Sequence, residues 1–394
     1  MSTTITFVLF ILSVLLVLLG VHFLLYVSVV HFFTITSATV KIYLAATLLF
    51  LCFSFLISVI LLRWNENFFT HCFYIASVFW IGILICLFMA TGLIWFIFGA
   101  KKLIGHSANM RTISVLFYVL AALVSFYGIW NAFHPNLKNI EVEIENLPPV
   151  WKNKIVVQLS DVHLGIIHGT TFLRRVVSQV NAIKPHMILI TGDLFDGMAG
   201  DLTRFIEPLN DLQASKGVFL VTGNHEGYLG LKKPLSILRD THISVLDMEV
   251  VDVDGLQIVG VSFPEFEKED NVKNVFKPGG NYNPRKPSIL LYHTPTNITR
   301  SNKSRGSQQF NTYWFPDIDM TFVKQNGIDL QLSGHTHQGQ LFPFGYLTKM
   351  IYQGYDYGLH KDGRFNLYTT SGVGTWGPPM RIGSSSEIPV IKLK

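Results

Sequence analysis

Four long stretches of the chain carry almost no polar residue: Ile5 to Val30, Ile42 to Leu62, Cys72 to Phe98 and Ile113 to Phe133. Crossing ~30 Å of hydrocarbon takes ~20 apolar helical residues, so each stretch is predicted to be a membrane helix. The first has no basic leader and runs too long for the apolar part of a cleaved signal. Beyond Trp130 the pattern changes. Over Leu137 to Glu145, Ile140, Val142 and Ile144 alternate with Glu141, Glu143 and Glu145, the period of a strand with one wet face, and Pro148-Pro149 closes it. From there apolar runs of β type alternate with short clusters of Gly, Asp, Asn or His. Helical stretches follow, such as Phe172, Val176, Val180 and Ile183, which line one helix face. The rhythm predicts βαβ organisation. Three regions are therefore expected: a membrane region over 1–133, a linker with a first strand over 134–150, and a globular domain over 151–394.

Composition sharpens this division. Of 394 residues 49% are hydrophobic and only 14% charged, against ~25% charged in soluble domains. Before residue 134 the only charged residues are Lys41, Arg63, Lys101, Lys102, Arg111 and Glu66. The net charge of +5 arises mostly there, so no basic face for nucleic acid is indicated. Lys41, Lys101, Lys102 and Arg111 belong to the first and third loops, whereas Arg63 in the second is offset by Glu66. By the positive-inside rule the first and third loops are cytoplasmic, which puts the globular domain of a multi-pass protein outside the cytoplasm. Lys138, Lys152 and Lys154, just after the last span, pull the other way. His22 and His31 lack an acidic partner at membrane depth and are expected to be tolerated between helices or near the interface, not to act as ligands. Cys52, Cys72 and Cys86 all precede residue 134, which leaves the globular part without disulfides or thiolate metal ligands.

What stands at the end of each apolar run carries the chemistry. Ile155 to Ser160 runs into Asp161-Val162-His163, Met187 to Thr191 into Gly192-Asp193, and Val218 to Thr222 into Gly223-Asn224-His225-Glu226. Ile289 to Tyr292 ends in His293, and Leu330 to Ser333 in Gly334-His335-Thr336-His337. Each piece alone is a common turn. Together they deliver metal-type ligands to the carboxyl ends of five strands, the edge where α/β sheets build their sites. The donors are oxygen and nitrogen without thiolate, which suits Zn, Fe or Mn better than Ca. One cation has no use for so many ligands, whereas two cations ~3.5–4 Å apart sharing a carboxylate do. Asp193, preceded by Gly192 so that backbone can approach closely, is the natural bridge.

The series Asp161-x-His163, Gly192-Asp193, Gly223-Asn224-His225-Glu226, His293 and Gly334-His335-x-His337 resembles the motif set of the calcineurin-like metallophosphoesterases. More narrowly, residues ~150 to 394 resemble the bacterial membrane-linked YkuE-like branch, including Ser333-Gly334-His335-Thr336-His337-x-Gly339-Gln340 and Gly372 to Arg381. The resemblance implies an α/β four-layer sandwich with mixed sheets around a site for two divalent or transition metal ions. It implies that Asp161, His163 and His337 hold one metal and Asn224, His293 and His335 the other, with Asp193 bridging. It also implies hydrolysis of a phosphate monoester or diester by a metal-bridging hydroxide, with His225 as acid and Glu226 orienting it. Glu226 stands where many relatives have Asp, and Gln338 where Gly or a basic residue is expected.

The rigid run Gly372 to Arg381 is expected to wall the pocket with Arg381 facing an anionic group of the substrate. The polar stretch Thr296 to Asp317, with Arg300, Lys303 and Arg305, reads first as a solvated surface loop, the alternative being a loop folded over the site to hold a phosphate. The aromatic series Phe342, Phe344, Tyr346, Tyr352, Tyr355 and Tyr357 reads better as core or membrane-contacting surface than as a substrate shelf. The expected function is a membrane-anchored phosphoesterase whose partners are a phosphoester, envelope or lipid-linked, and the lipid bilayer. The alternative is a non-catalytic metal-binding membrane sensor or interaction protein.

Overall fold

The computed structural model describes residues 3–105, 107–198, 200–263, 269–277, 279–299 and 315–394. They form two compact units, Met1–Trp130 with Gly377–Met380, and Asn131–Trp376 with Arg381–Lys394. The first unit holds helices α1 (Thr3–Phe32), α2 (Ala38–Trp64), α3 (Phe68–Ile104) and α4 (Met110–Ala132). All four are long and apolar enough to cross a membrane, and their ends lie within a few residues of the predicted ones. Asn67 starts α3 by accepting from the amides of Phe69 and Thr70, while its own amide donates to the Thr70 hydroxyl. Gly105, at φ 72°, ends that helix. Polar side chains inside the unit mostly donate to backbone carbonyls, and two tryptophans reach polar groups of α1. Trp80 Nε1 donates to His22 Nε2 at 3.1 Å, and His22 Nδ1 meets the Leu18 carbonyl at 2.8 Å. Trp95 Nε1 donates to Ser28 Oγ at 2.7 Å.

The second unit is built on two six-stranded sheets. The strands are β1 (Asn136–Val142), β2 (Ile155–Leu159), β3 (Met187–Thr191), β4 (Val218–Val221), β5 (Ser244–Val245), β6 (Glu249–Val253), β7 (Leu256–Val261), β8 (Ser288–Tyr292), β9 (Leu330–Ser333), β10 (Gly358–Asp362), β11 (Phe365–Thr369) and β12 (Glu387–Leu393). One sheet has the order β1-β12-β2-β3-β4-β5 and the other β10-β11-β9-β8-β7-β6. Strands β2 to β5 run parallel, as do β7, β8, β9 and β11, while antiparallel pairings join β12 to β2, β6 to β7 and β10 to β11. The first strand expected within 134–150 is thus a sheet edge. Strand β1 pairs along its length with β12, from Asn136 opposite Glu387 to Val142 opposite Leu393.

Central strands are apolar on both faces because both faces are covered. Between the sheets Val156, Leu189 and Val221 meet Ile258, Ile289, Leu291, Leu330 and Leu332. On one outer face Val157, Ile188, Ile190 and Leu220 pack under α5 (Thr170–Ile183), which buries Phe172, Leu173, Val176, Val177 and Val180. On the other, Val259, Leu290 and Leu367 pack with Val272, Val275 and Val323. Helix, sheet, sheet and helix make the four layers.

The ends of the second sheet opposite the site are tied by a charge pair. Asp329, fully buried just before β9, accepts from the amide of Ser288 at 2.9 Å and receives a two-pronged contact from Arg364, in the turn before β11. Arg364→Met is expected to lower unfolding free energy by about 3 kcal/mol, because it strands a buried carboxylate. The double variant Arg364→Met, Asp329→Asn should recover part of it. Thermal melting of the detergent-solubilised chain checks both; an unchanged midpoint for the single variant refutes this account.

Candidate metal centre

The parallel strands of both sheets point their carboxyl ends the same way, and the loops leaving β2, β3, β4, β8 and β9 converge there. Cross-links between the sheets hold the meeting point. Gln158 on β2 donates to the Ser333 carbonyl on β9 at 3.0 Å, and His293 Nδ1 donates to the Thr191 carbonyl at the end of β3 at 2.8 Å. That second bond fixes the His293 tautomer and leaves Nε2 as the lone-pair atom. The chain must turn abruptly at these ends. Asp161, His163, Asp193, His335 and His337 all stand in the left-handed region, at φ 53°, 51°, 51°, 72° and 49°. Asp and His tolerate that region better than β-branched residues, at a cost of order 1–3 kcal/mol each, and such strain is concentrated where side chains must be aimed.

The expected ligands come together in two joined groups, Asp161 with His163 and His337, and Asp193 with His293 and His335. His163 Nε2 lies 3.1 Å from His337 Nε2, which is 3.3 Å from Asp161 Oδ1. His293 Nε2 lies 3.1 Å from Asn224 Oδ1 and 3.2 Å from His335 Nδ1. Asp193 stands between the groups, its Oδ2 3.2 Å from His293 Nε2 and 3.9 Å from His163 Nε2. Its Oδ1 accepts from the His225 amide at 2.8 Å. Carboxylate oxygens, an amide oxygen and imidazole nitrogens that converge in a buried pocket present lone pairs to one another once the rings shed their inward protons, so this donor set fits two cations. The ionisation pattern agrees except at His293, where, against the pull of burial, Asp193 and Asp161 push the imidazole up to about 9. Burial alone would raise the Asp161 and Asp193 carboxyls, yet the surrounding imidazoles hold both below the usual carboxylate range. Burial keeps His163, His335 and His337 neutral, the form a ligand requires, with Arg381 adding to the effect at His337.

Glycine is required where backbone closes on the shared carboxylate. A Cβ on Gly223 would lie 2.2 Å from Asp193 Oδ1, and one on Gly192, at φ 89°, would lie 2.8 Å from His293 Nδ1.

Two sequence expectations are corrected here. Glu226 does not orient His225. Its carboxylate is buried and accepts from the amides of Asp193, Phe195 and Gly223 at 3.0, 3.0 and 2.7 Å, so it shapes the loop that carries the bridge. The carboxylate against the His225 ring is Asp196, with Oδ1 3.3 Å from Nδ1. Nothing in the sequence flagged Asp196; its only signal is a place three residues beyond Asp193. Arg381 faces no substrate either. It is fully buried and donates to the carbonyls of Ser371, Gly374 and His337, with Nη2 3.1 Å from His337 Nδ1. Arg381 is thus an internal strut for the loop after Gly372. Arg300, Lys303 and Arg305 lie outside the described residues.

His225 sits at the mouth, its ring edge-on to His163 with centroids 4.5 Å apart. The Gly197 amide donates to Nδ1 at 3.1 Å. Against the pull of burial, the carboxylates of Asp193, Asp196 and Glu226 raise its proton affinity.

Asp193→Asn is expected to deplete both metals, since a neutral amide cannot hold two cations against their repulsion, whereas Asp161→Asn should deplete chiefly one. Gly223→Ala should resemble Asp193→Asn because the added methyl displaces the same oxygen. Metal analysis of the purified full chain decides this, and two metals per chain in Asp193→Asn would refute the shared ligand.

Comparison with known proteins agrees with this geometry. The family model described as calcineurin-like phosphoesterase matches residues 155–339. An uncharacterized metallophosphoesterase of Campylobacter jejuni is 34% identical over 280 residues, 70% of this chain and 68% of that protein. A transmembrane protein with metallophosphoesterase domain from Danio rerio is 31% identical over 299 residues, 71% of this chain and 62% of that one. The uncharacterized metallophosphoesterase YkuE of Bacillus subtilis is 27% identical over 255 residues, 61% of this chain and 78% of its own. With the buried donor set and these matches together, the chain belongs to the calcineurin-like metallophosphoesterase family.

Proposed function

We propose that the protein is a membrane-anchored phosphoesterase that hydrolyses a phosphate monoester or diester at this centre, outside the cytoplasm. The observation that carries the reading is His225. A centre that merely held cations for structure would have no use for a further imidazole, partly exposed at its mouth and oriented by partners of its own.

Asp161, His163 and His337 would hold one cation, Asn224, His293 and His335 the other, with Asp193 shared. Two such cations, when bound, polarise phosphoryl oxygens and lower the pKa of water. The rest is protein chemistry. With Nδ1 flanked by the Gly197 amide and Asp196 Oδ1, Nε2 is the His225 atom left for the ester's leaving oxygen. Once the ring is charged, Nδ1–H has Asp196 Oδ1 within reach. The charged ring thus protonates the departing alkoxide from Nε2, is left neutral with its remaining proton on Nδ1 toward Asp196 Oδ1, and takes up a proton from solvent before the next turnover. Anchorage favours an envelope or lipid-linked phosphate as substrate. The outward orientation rests on Lys41, Lys101, Lys102 and Arg111.

Turnover of a phosphoester panel by the purified full chain, with Mn, Zn and Fe exchanged, tests the reading. No turnover of any ester with both metals bound would favour the sensor alternative. His225→Ala should lose ~10²–10⁴-fold in turnover for esters with poor leaving groups and much less for activated aryl esters, with metal content unchanged. Loss of metals, or equal penalties for both ester types, refutes the acid role. Protease added to intact spheroplasts of an expressing host should remove the C-terminal unit while the third loop stays protected; digestion only after lysis reverses the orientation.

A further inference from the structure

The loop that delivers His337 continues into a helix that lacks a buried side. Over Phe344–Ile351 no residue is buried, although only Thr348 and Lys349, besides the Tyr346 hydroxyl, bring polar side-chain groups. Tyr346 is 73% and Met350 68% exposed, and Phe342, Phe344 and Leu347 are exposed with them. Tyr346, Leu347 and Met350 fall on one helix face. This helix is held firmly. A Cβ on Gly339 would lie 2.5 Å from Gly345 Cα, so the backbone of the His337 turn and of the helix start are in contact. Phe342 donates its amide to Ile382 O at 2.7 Å, and its ring stands edge-on to Tyr346. The Gln340 side chain grips the Trp376 backbone through both its amide groups, at 3.0 and 3.2 Å, which fastens the exposed Trp376 ring to the same turn. Elsewhere on this unit, among the described residues, exposed large apolar side chains such as Leu137, Val150 and Tyr228 are scattered. A rigid, contiguous apolar patch is not an ordinary surface.

We propose that the helix Phe344–Ile351, with Phe342 and Trp376, rests in the headgroup region of a lipid bilayer. Two observations select lipid over a protein partner. The chemistry is that of an interfacial belt: Tyr and Trp rings with one polar edge, aliphatic neighbours, and a lysine whose stem can lie along the apolar surface with its charge in water. The chain also brings its own membrane. Only Phe133, His134 and Pro135 separate α4 from β1, a span of at most ~11 Å, so this unit is tied close to whatever layer α4 occupies. The contact would turn a tether at one point into attachment at two. It does not depend on the proposed reaction.

The test uses the full chain with Cys52→Ala, Cys72→Ala and Cys86→Ala, and a single reporter site at Tyr346→Cys, Met350→Cys or, as control, Val150→Cys. Each is labelled with an environment-sensitive fluorophore and reconstituted into vesicles of phosphatidylcholine and phosphatidylglycerol, with spin-labelled lipid added. The three sites are exposed, so melting midpoints should match that of the cysteine-free parent. At positions 346 and 350 the emission should shift to the blue and be quenched by lipid spin-labelled near the headgroup, with neither effect at position 150. Water-like emission at all three positions overturns the proposal. So does shielding that persists in detergent and ignores spin-labelled lipid, the result a second copy or a protein partner would give.

Discussion

Lone pairs crowded into a buried pocket repel one another, and the turns that frame the centre follow from that constraint. Two carboxylates, an amide oxygen and imidazole nitrogens approach within 3.1–3.9 Å among buried or nearly buried residues. Such a cluster persists only if positive charge fills it and the backbone prevents the side chains from turning away. The left-handed turns at five ligands, the glycines at 192 and 223 and the carbonyl that fixes His293 all meet the second requirement. The two cores on either side make the strand ends rigid enough to bear that strain.

Charge is also managed one layer behind the ligands. Arg381, buried without a direct carboxylate partner, spreads its guanidinium over carbonyls of the loop behind the centre and has its pKa pulled down to about 10, chiefly by burial. Six residues on, Glu387 is buried too, accepting from the hydroxyls of Tyr357, Tyr368 and Thr370. The pair brackets the 382–386 turn, and Arg381 adds to burial in lowering the proton affinity of His337. Glu226 does comparable work at the bridge, where three amides converge on its carboxylate. The ligands therefore depend on buried polar groups one layer behind them.

The hydrophobic pattern alone disclosed the four apolar helices, the alternation of β1, the runs that became β2, β3, β4, β8 and β9, and the ligand types at their ends. These features are local: a helix long enough for a bilayer, a strand covered on both faces and an Asp or His after an apolar run each leave their mark within a few neighbouring residues. The β6–β7 and β10–β11 hairpins left weaker marks because they form sheet margins, where half-exposed strands such as Gly358–Asp362 tolerate polar residues. The wedging of β12 between β1 and β2 left none, since pairing across the whole length of the domain has no sequence period.

The same distinction holds at the centre. Residue identity and order determined the chemistry available, namely oxygen and nitrogen donors on five strand ends with no thiol to compete. Direction was decided by tertiary structure alone. Glu226 and Asp196 are both acids near His225 in sequence, yet one points into three backbone amides and the other at the ring. Arg381 ends a glycine-rich run but turns inward to its carbonyls. Which way a side chain points depends on a left-handed turn or a partner contributed from far along the chain, and that geometry exists only once both sheets have closed on each other.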